Sequence, residues 1–84
     1  MRVTLKLYAT LADYLPPAAR AANAVELDVP EGATVTGAIA PYNLPPALTR
    51  LVLVNGFFVP PQERESRALR DGDVLAIWPP IAGG

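Results

Sequence analysis

Few residues in this chain could do chemistry, and the missing types narrow the choice. Its 84 residues include neither cysteine nor histidine. That excludes disulfides, thiolate metal sites and thiol nucleophiles, and it removes the usual general base near neutral pH. No metal site is expected. What remains is carboxylate, amine or hydroxyl chemistry, or chemistry done on this chain by another protein. Asp71 and Asp73 flank Gly72; such a pair more often accepts backbone N–H groups in a turn than acts as an acid–base dyad. Arg64, Arg67 and Arg70 could form a docking patch, but Glu63, Glu65 and Asp71 interleave them. A solvated mixed-charge face is the favoured reading of that stretch. The last distinctive feature is the end of the sequence, Ile81-Ala82-Gly83-Gly84. Two final glycines arise by chance in about one chain in 200, so the pair is worth weighing against its surroundings.

The bulk properties set limits on partners. Formal net charge is −1, from seven basic and eight acidic side chains. There is no basic field for nucleic acid and no basic stripe for an anionic membrane. No apolar run approaches spanning length, and the start of the chain, Met1-Arg2-Val3-Thr4-Leu5-Lys6-Leu7, alternates where a signal peptide would be continuously apolar. The expected location is the cytoplasm.

The elements that must position the chain's end are short, because ten prolines and six glycines punctuate it. Val3, Leu5 and Leu7 alternate with polar residues and predict a strand with one buried face. Thr10–Leu15 reads as a helical turn stopped by Pro16-Pro17, and Ala18–Ala24 as a loop with helical character. Val25, Leu27 and Val29 predict a second strand, ended by Pro30-Glu31-Gly32. Thr34 is a plausible N-cap for a short helix over Val35–Ala40, weakened by Gly37 and ended by Pro41. Leu51–Val54 is a continuous apolar run and reads as a central strand. Asn55-Gly56 predicts a tight turn into a short arm, Phe57–Val59. Asp71-Gly72-Asp73 turns the chain into a last strand, Val74–Trp78, stopped by Pro79-Pro80. Two strands, a crossing helix and further strands imply an α+β fold, a mixed sheet of four to five strands with one short helix packed on one face. A small all-β barrel is the alternative if Thr34–Ala40 is a loop.

The stretch Asp71-Gly72-Asp73-Val74-Leu75-Ala76-Ile77-Trp78-Pro79-Pro80-Ile81-Ala82-Gly83-Gly84 resembles the ending of the MoaD/ThiS-like ubiquitin-like sulfur carriers, of the molybdopterin synthase small-subunit type. Leu53-Val54-Asn55-Gly56 and Leu7-Tyr8-Ala9 with Leu11 agree with the same family elsewhere in the chain. The resemblance implies a β-grasp (ubiquitin-like) domain over 1–80 and a flexible Gly-Gly tail over 81–84. It implies that Gly84 is adenylated by an E1-like activating enzyme that uses ATP, then converted to a thiocarboxylate by a sulfur donor. The sulfur would pass to a biosynthetic acceptor, such as a pterin precursor held by a larger synthase subunit. The chain would bind no cofactor of its own. Glycine suits such a tail because it has no side chain to block a narrow channel, whereas Pro79-Pro80 would stiffen its root and stop further sheet pairing. Gly83, Ala82 and Ile81 would form the inserted segment. Two departures are visible: the helix is shorter than is usual in the family, and Pro16–Asn23 matches no family pattern.

Partner contacts would come from the sheet. In the last strand Leu75 and Ile77 share one face and Val74, Ala76 and Trp78 the other. If Leu75 and Ile77 are core, Trp78 lies on the open face, either as a partner anchor beside Pro79 and Pro80 or as a cover for the sheet edge. Of the adjacent Phe57 and Phe58, one should point outward; Phe58 is the candidate second anchor, against the plainer reading of ordinary exposed surface. Three functions are carried forward: a sulfur carrier, most directly for molybdopterin; a protein modifier joined to lysines through the same Gly84; and a non-catalytic β-grasp interaction module with an inert tail. A stand-alone enzyme is the least favoured reading, for want of a nucleophile–base pair.

Overall fold

The computed structural model describes residues 1–80; the tail expected at 81–84 lies outside the described residues. Strand β1, Arg2–Leu7, follows from its alternation: Val3, Leu5 and Leu7 are buried and the residues between them are not. It pairs antiparallel with β2, Ala24–Asp28, one residue earlier than the expected Val25–Val29. Val29 closes that end by donating to Met1. Helix α1, Val35–Ile39, crosses next. It leads to β3, Leu51–Val54, β4, Phe57–Phe58, and β5, Val74–Trp78. The sheet order is β2-β1-β5-β3-β4, with β1 and β5 parallel and every other neighbour antiparallel. This is a mixed five-stranded β-grasp sheet with one short helix on one face.

One face carries the core. Leu75 and Ile77 of β5, Val52 and Val54 of β3 and the three β1 residues pack against Val35 and Ala38 of α1, Leu11, Leu15, Val59 and Leu69. Burying each large aliphatic side chain of this set is worth about 1.5–3 kcal/mol relative to exposure. Helix α1 can be this short because it lies against that core and is capped: Thr34 Oγ1 accepts from Gly37 N–H at 3.1 Å. Gly37 is also explained, since a Cβ there would stand 3.3 Å from the capping hydroxyl.

Three expectations need correction. Leu51–Val54 is an inner strand but not the middle one, which is β5. Its apolar run does not reflect burial on both faces, for Val52 and Val54 are core while Leu51 is 42% exposed. Phe57 and Phe58 are both exposed, at 73% and 52%. Strand β4 has only two residues at the sheet edge, and Val59, fully buried just after it, fills the core position that would have taken a phenylalanine. The helical character expected within the loop at Ala18–Ala24 is a full 3-10 helix, Pro17–Ala22, and the helical turn expected at Thr10–Leu15 is another, Ala9–Tyr14. Arg20 ties the two by donating to the Leu15 and Asp13 carbonyls, and Asn23, in the left-handed region, donates its side-chain amide to Leu7. Among the described residues no helix is long and apolar enough to cross a membrane.

Candidate functional site

Residues 81–84 follow β5 and Pro79-Pro80 in the chain, so the site begins with what surrounds Trp78. Leu75 and Ile77 are fully buried, which by the two-residue period sends Trp78 to the open face, where it is 38% exposed. Cross-strand partners share a face. Leu51 pairs with Trp78, Leu53 with Ala76, and Phe58 with Leu53, so these five residues form one apolar stripe over β5, β3 and β4. Tyr8, just past β1, completes it. Its ring stacks on Trp78 with centroids 3.8 Å apart and planes 7° from parallel, and its N–H donates to the Ile77 carbonyl at 3.2 Å. A stacked pair of this kind contributes about 0.5–1.5 kcal/mol beyond its area, and here it fixes the indole two residues before Pro80. Pro79 is half-buried and Pro80 exposed. The other half of the open face is charged: Arg2 lies 3.2 Å from Glu26 and 3.6 Å from Asp28, in exposed pairs of little energetic weight.

The structure brings Trp78 and Phe58 onto the same stripe but leaves Phe57 off it, since Phe57 pairs with core-facing Val54. Gly84, Gly83, Ala82 and Ile81 lie outside the described residues. The residue that sequence reasoning missed is Tyr8. The alternation of β1 places it opposite the core, but only the parallel register Leu7–Ile77 carries it to Trp78, and no local pattern encodes that register.

The second candidate group, at the other end of β5, is a turn assembly. Asp71 Oδ1 accepts from Arg2 N–H at 2.8 Å, and Asp73 Oδ2 from Arg70 N–H at 2.8 Å. Asn55 donates to Asp73 Oδ1 at 2.9 Å and accepts from Val74 N–H at 2.9 Å. Asn55 and Gly56 have φ of 52° and 85°, the two consecutive positive values that a two-residue hairpin turn of this kind requires. The carboxylates are thus turn residues, as their spacing suggests, though Asp71 reaches across the fold instead of bonding locally.

The arginine triplet divides. Arg64 turns inward and donates to the carbonyls of Val59, Thr49 and Arg50 at 3.0, 2.7 and 3.1 Å. Burial lowers its pKa from the ordinary guanidinium value, which still leaves it charged near neutral pH. Two of its three bonds secure the chain just before Leu51, the partner of Trp78, and the third holds Val59 just after β4. Arg64 also lines a 270 Å³ cavity with Thr36, Ile39, Leu44 and Pro46. Arg67 and Arg70 stay exposed. Among the described residues no cluster of three or more acidic side chains could hold a metal ion.

Comparison with known proteins follows the same geometry. The ThiS family model matches residues 7–84. A crystal structure of SAMP1 from Haloferax volcanii is similar at 27% identity and a TM-score of 0.71, covering 100% of both chains. A second crystal structure, of the H. volcanii small archaeal modifier protein 1, is similar at 26% identity and a TM-score of 0.64, over 95% of this chain and 98% of that one. No curated protein matches.

Proposed function

This chain belongs to the ThiS family, and from that premise we propose that it is a sulfur carrier whose working group is the carboxylate of Gly84. The observation that carries the reading is the family match, which runs through the Gly83-Gly84 pair to residue 84. A carboxylate is a poor electrophile. An E1-like activating enzyme would join Gly84 to AMP from ATP, releasing pyrophosphate. A sulfur donor would then displace AMP and leave a thiocarboxylate, which passes its sulfur to a biosynthetic acceptor. Pro79-Pro80 favours the molybdopterin type, in which a larger synthase subunit holds a pterin precursor.

The chain's own part is presentation. Pro79 and Pro80 lack backbone N–H donors and hold φ near −65°, so they end pairing and give the tail a stiff root. Gly83, Ala82 and Ile81 present little or modest bulk to a channel, and the glycines accept backbone conformations closed to other residues. The stripe of Tyr8, Leu51, Phe58 and Trp78 offers an aromatic-rich contact surface beside that root, of the composition that dominates binding energetics. ATP and sulfur chemistry reside on the partners.

The likeness to small archaeal modifier protein 1 supports a second reading, in which a lysine amine of another protein attacks the same adenylate. The two readings share every step up to the nucleophile. Mass spectrometry of the C-terminal peptide, from protein isolated from its native host, separates them. A sulfur-for-oxygen exchange localised to Gly84 establishes the carrier; Gly84 joined to lysines establishes the modifier. A bare carboxylate after incubation with ATP, an activating enzyme and a sulfur donor refutes both and leaves the inert interaction module. Localisation matters because oxidation of Met1 adds nearly the same nominal mass.

A further inference from the structure

We propose that the turn end of β5, opposite the tail root, binds an acidic segment of a partner protein through Arg67 and Arg70. An open depression of 570 Å³ lies there, lined by Asn55, Ser66, Arg67, Ala68, Arg70 and Asp73. Its size is that of a ligand site, but its lining is polar where small-molecule pockets are mostly apolar. Two guanidinium groups and one carboxylate border it, so the lining is net positive on a chain of net charge −1.

The acid–base inventory of this end is uneven. Both Asp73 oxygens already accept hydrogen bonds, from Asn55 and from the Arg70 N–H. Arg2 takes up Glu26 and Asp28, and these are the ion pairs among the described residues. Glu63 and Glu65 alternate with the arginines in sequence, yet neither pairs with Arg67 or Arg70. The mixed-charge stretch therefore does not neutralise itself, and among the described residues neither exposed guanidinium fork has a carboxylate acceptor. Each fork suits a carboxylate in two-bond geometry.

The backbone that carries the two arginines is held in place. Val35 N–H donates to the Arg67 carbonyl at 3.1 Å, Leu69 N–H to Ala33 at 2.8 Å, and Asp73 N–H to Arg70 at 3.0 Å. Leu69 between them is 3% exposed and anchors the segment in the core. None of these contacts uses an arginine side chain, so binding would not have to order the loop first. The rise of β5 from Val74 to Trp78 is about 13 Å, enough for an acidic segment to occupy this end while the tail is engaged at the other.

The test uses the full chain and a fluorescein-labelled octaglutamate peptide as probe. Amide shift mapping should move Asn55, Ser66, Arg67, Ala68 and Arg70 first. Anisotropy titration should show affinity falling on the order of tenfold in the double variant R67E/R70E, and falling with added salt, as partly exposed charge pairs do. Replacing both arginines with lysine should retain part of the binding, because the charge stays and the fork is lost. R50E is the matched control at another exposed arginine and should leave affinity within about twofold. An equal loss in R50E, shifts spread over all basic residues, or no binding at low salt would each overturn the proposal. The amide spectrum of R67E/R70E must remain that of the folded chain; should it not, the lysine variant carries the comparison.

Discussion

At its last residue β5 presents Trp78 under the ring of Tyr8, beside Leu51. At its first, it leaves a turn in which Asn55, Asp71 and Asp73 bond to backbone N–H groups. The tail end is apolar and held by stacking. The turn end is polar and held by hydrogen bonds. Both flank the same two fully buried side chains, Leu75 and Ile77. The two ends divide the labour: turn chemistry sets where β5 begins, and that register places Trp78 and the prolines together at the surface. Changes to the hydrogen bonds of the turn should then appear in stability, and changes at the tail end in activation and sulfur loading.

The largest expected effect is at the tail. Deleting Gly84, or Gly84→Pro, should abolish adenylation and sulfur loading while leaving the thermal midpoint within about a degree, since every described core residue is kept. An active truncated protein would break the division by removing function from the tail end altogether. Next is Trp78→Ala. It removes an indole that is more than a third exposed and one partner of a stack worth about 0.5–1.5 kcal/mol. Affinity for an activating enzyme should fall by on the order of tenfold or more, as for an aromatic anchor, with a stability loss of about 1–2 kcal/mol. Tyr8→Phe keeps the stack and should keep both properties. A stability loss above about 3 kcal/mol with unchanged affinity would mean that the indole is structural.

Asn55→Ala probes the turn end. It removes two side-chain hydrogen bonds and places alanine at φ 52°, where a residue with a Cβ and no local bonding is strained. The expected loss is about 2 kcal/mol in denaturant unfolding, with adenylation of the folded protein unchanged. A defect in adenylation at full folding would show that the activating enzyme itself contacts the turn end.

Much of this arrangement was legible in the sequence because it is local. Alternation gave β1 its buried face and sorted β5 into two faces, Asn55-Gly56 gave a two-residue turn, and Asp71-Gly72-Asp73 gave another. What escaped was non-local. Tyr8 meets Trp78 across 70 positions, and Asn55 meets Asp73 across 18; each depends on strand order, which no short window contains. Arg64 escaped for another reason. A run of alternating charges looks solvated, and nothing in it says that one guanidinium has three carbonyls within reach. Phe58 was legible as the outward residue, but the exposure of Phe57 escaped because period-two reasoning assumes a covered face, and a two-residue edge strand extends past the cover.

The smallest expected effect lies between the two ends, at the helix that covers β5. Gly37 interrupts α1, and alanine there would ordinarily gain up to about 1 kcal/mol of helix propensity. Here the added Cβ would meet Thr34 Oγ1 at 3.3 Å, pressing on the hydroxyl that caps the same helix, a bond worth about 1 kcal/mol. The two terms oppose each other with similar size, so Gly37→Ala should change stability by less than about 0.5 kcal/mol. Combining it with Thr34→Gly removes the crowded hydroxyl, and in that background alanine should recover most of its propensity gain. The same small effect in both backgrounds would mean that the cap and the glycine are independent, and that α1 tolerates its glycine only because the sheet beneath it supplies the stability.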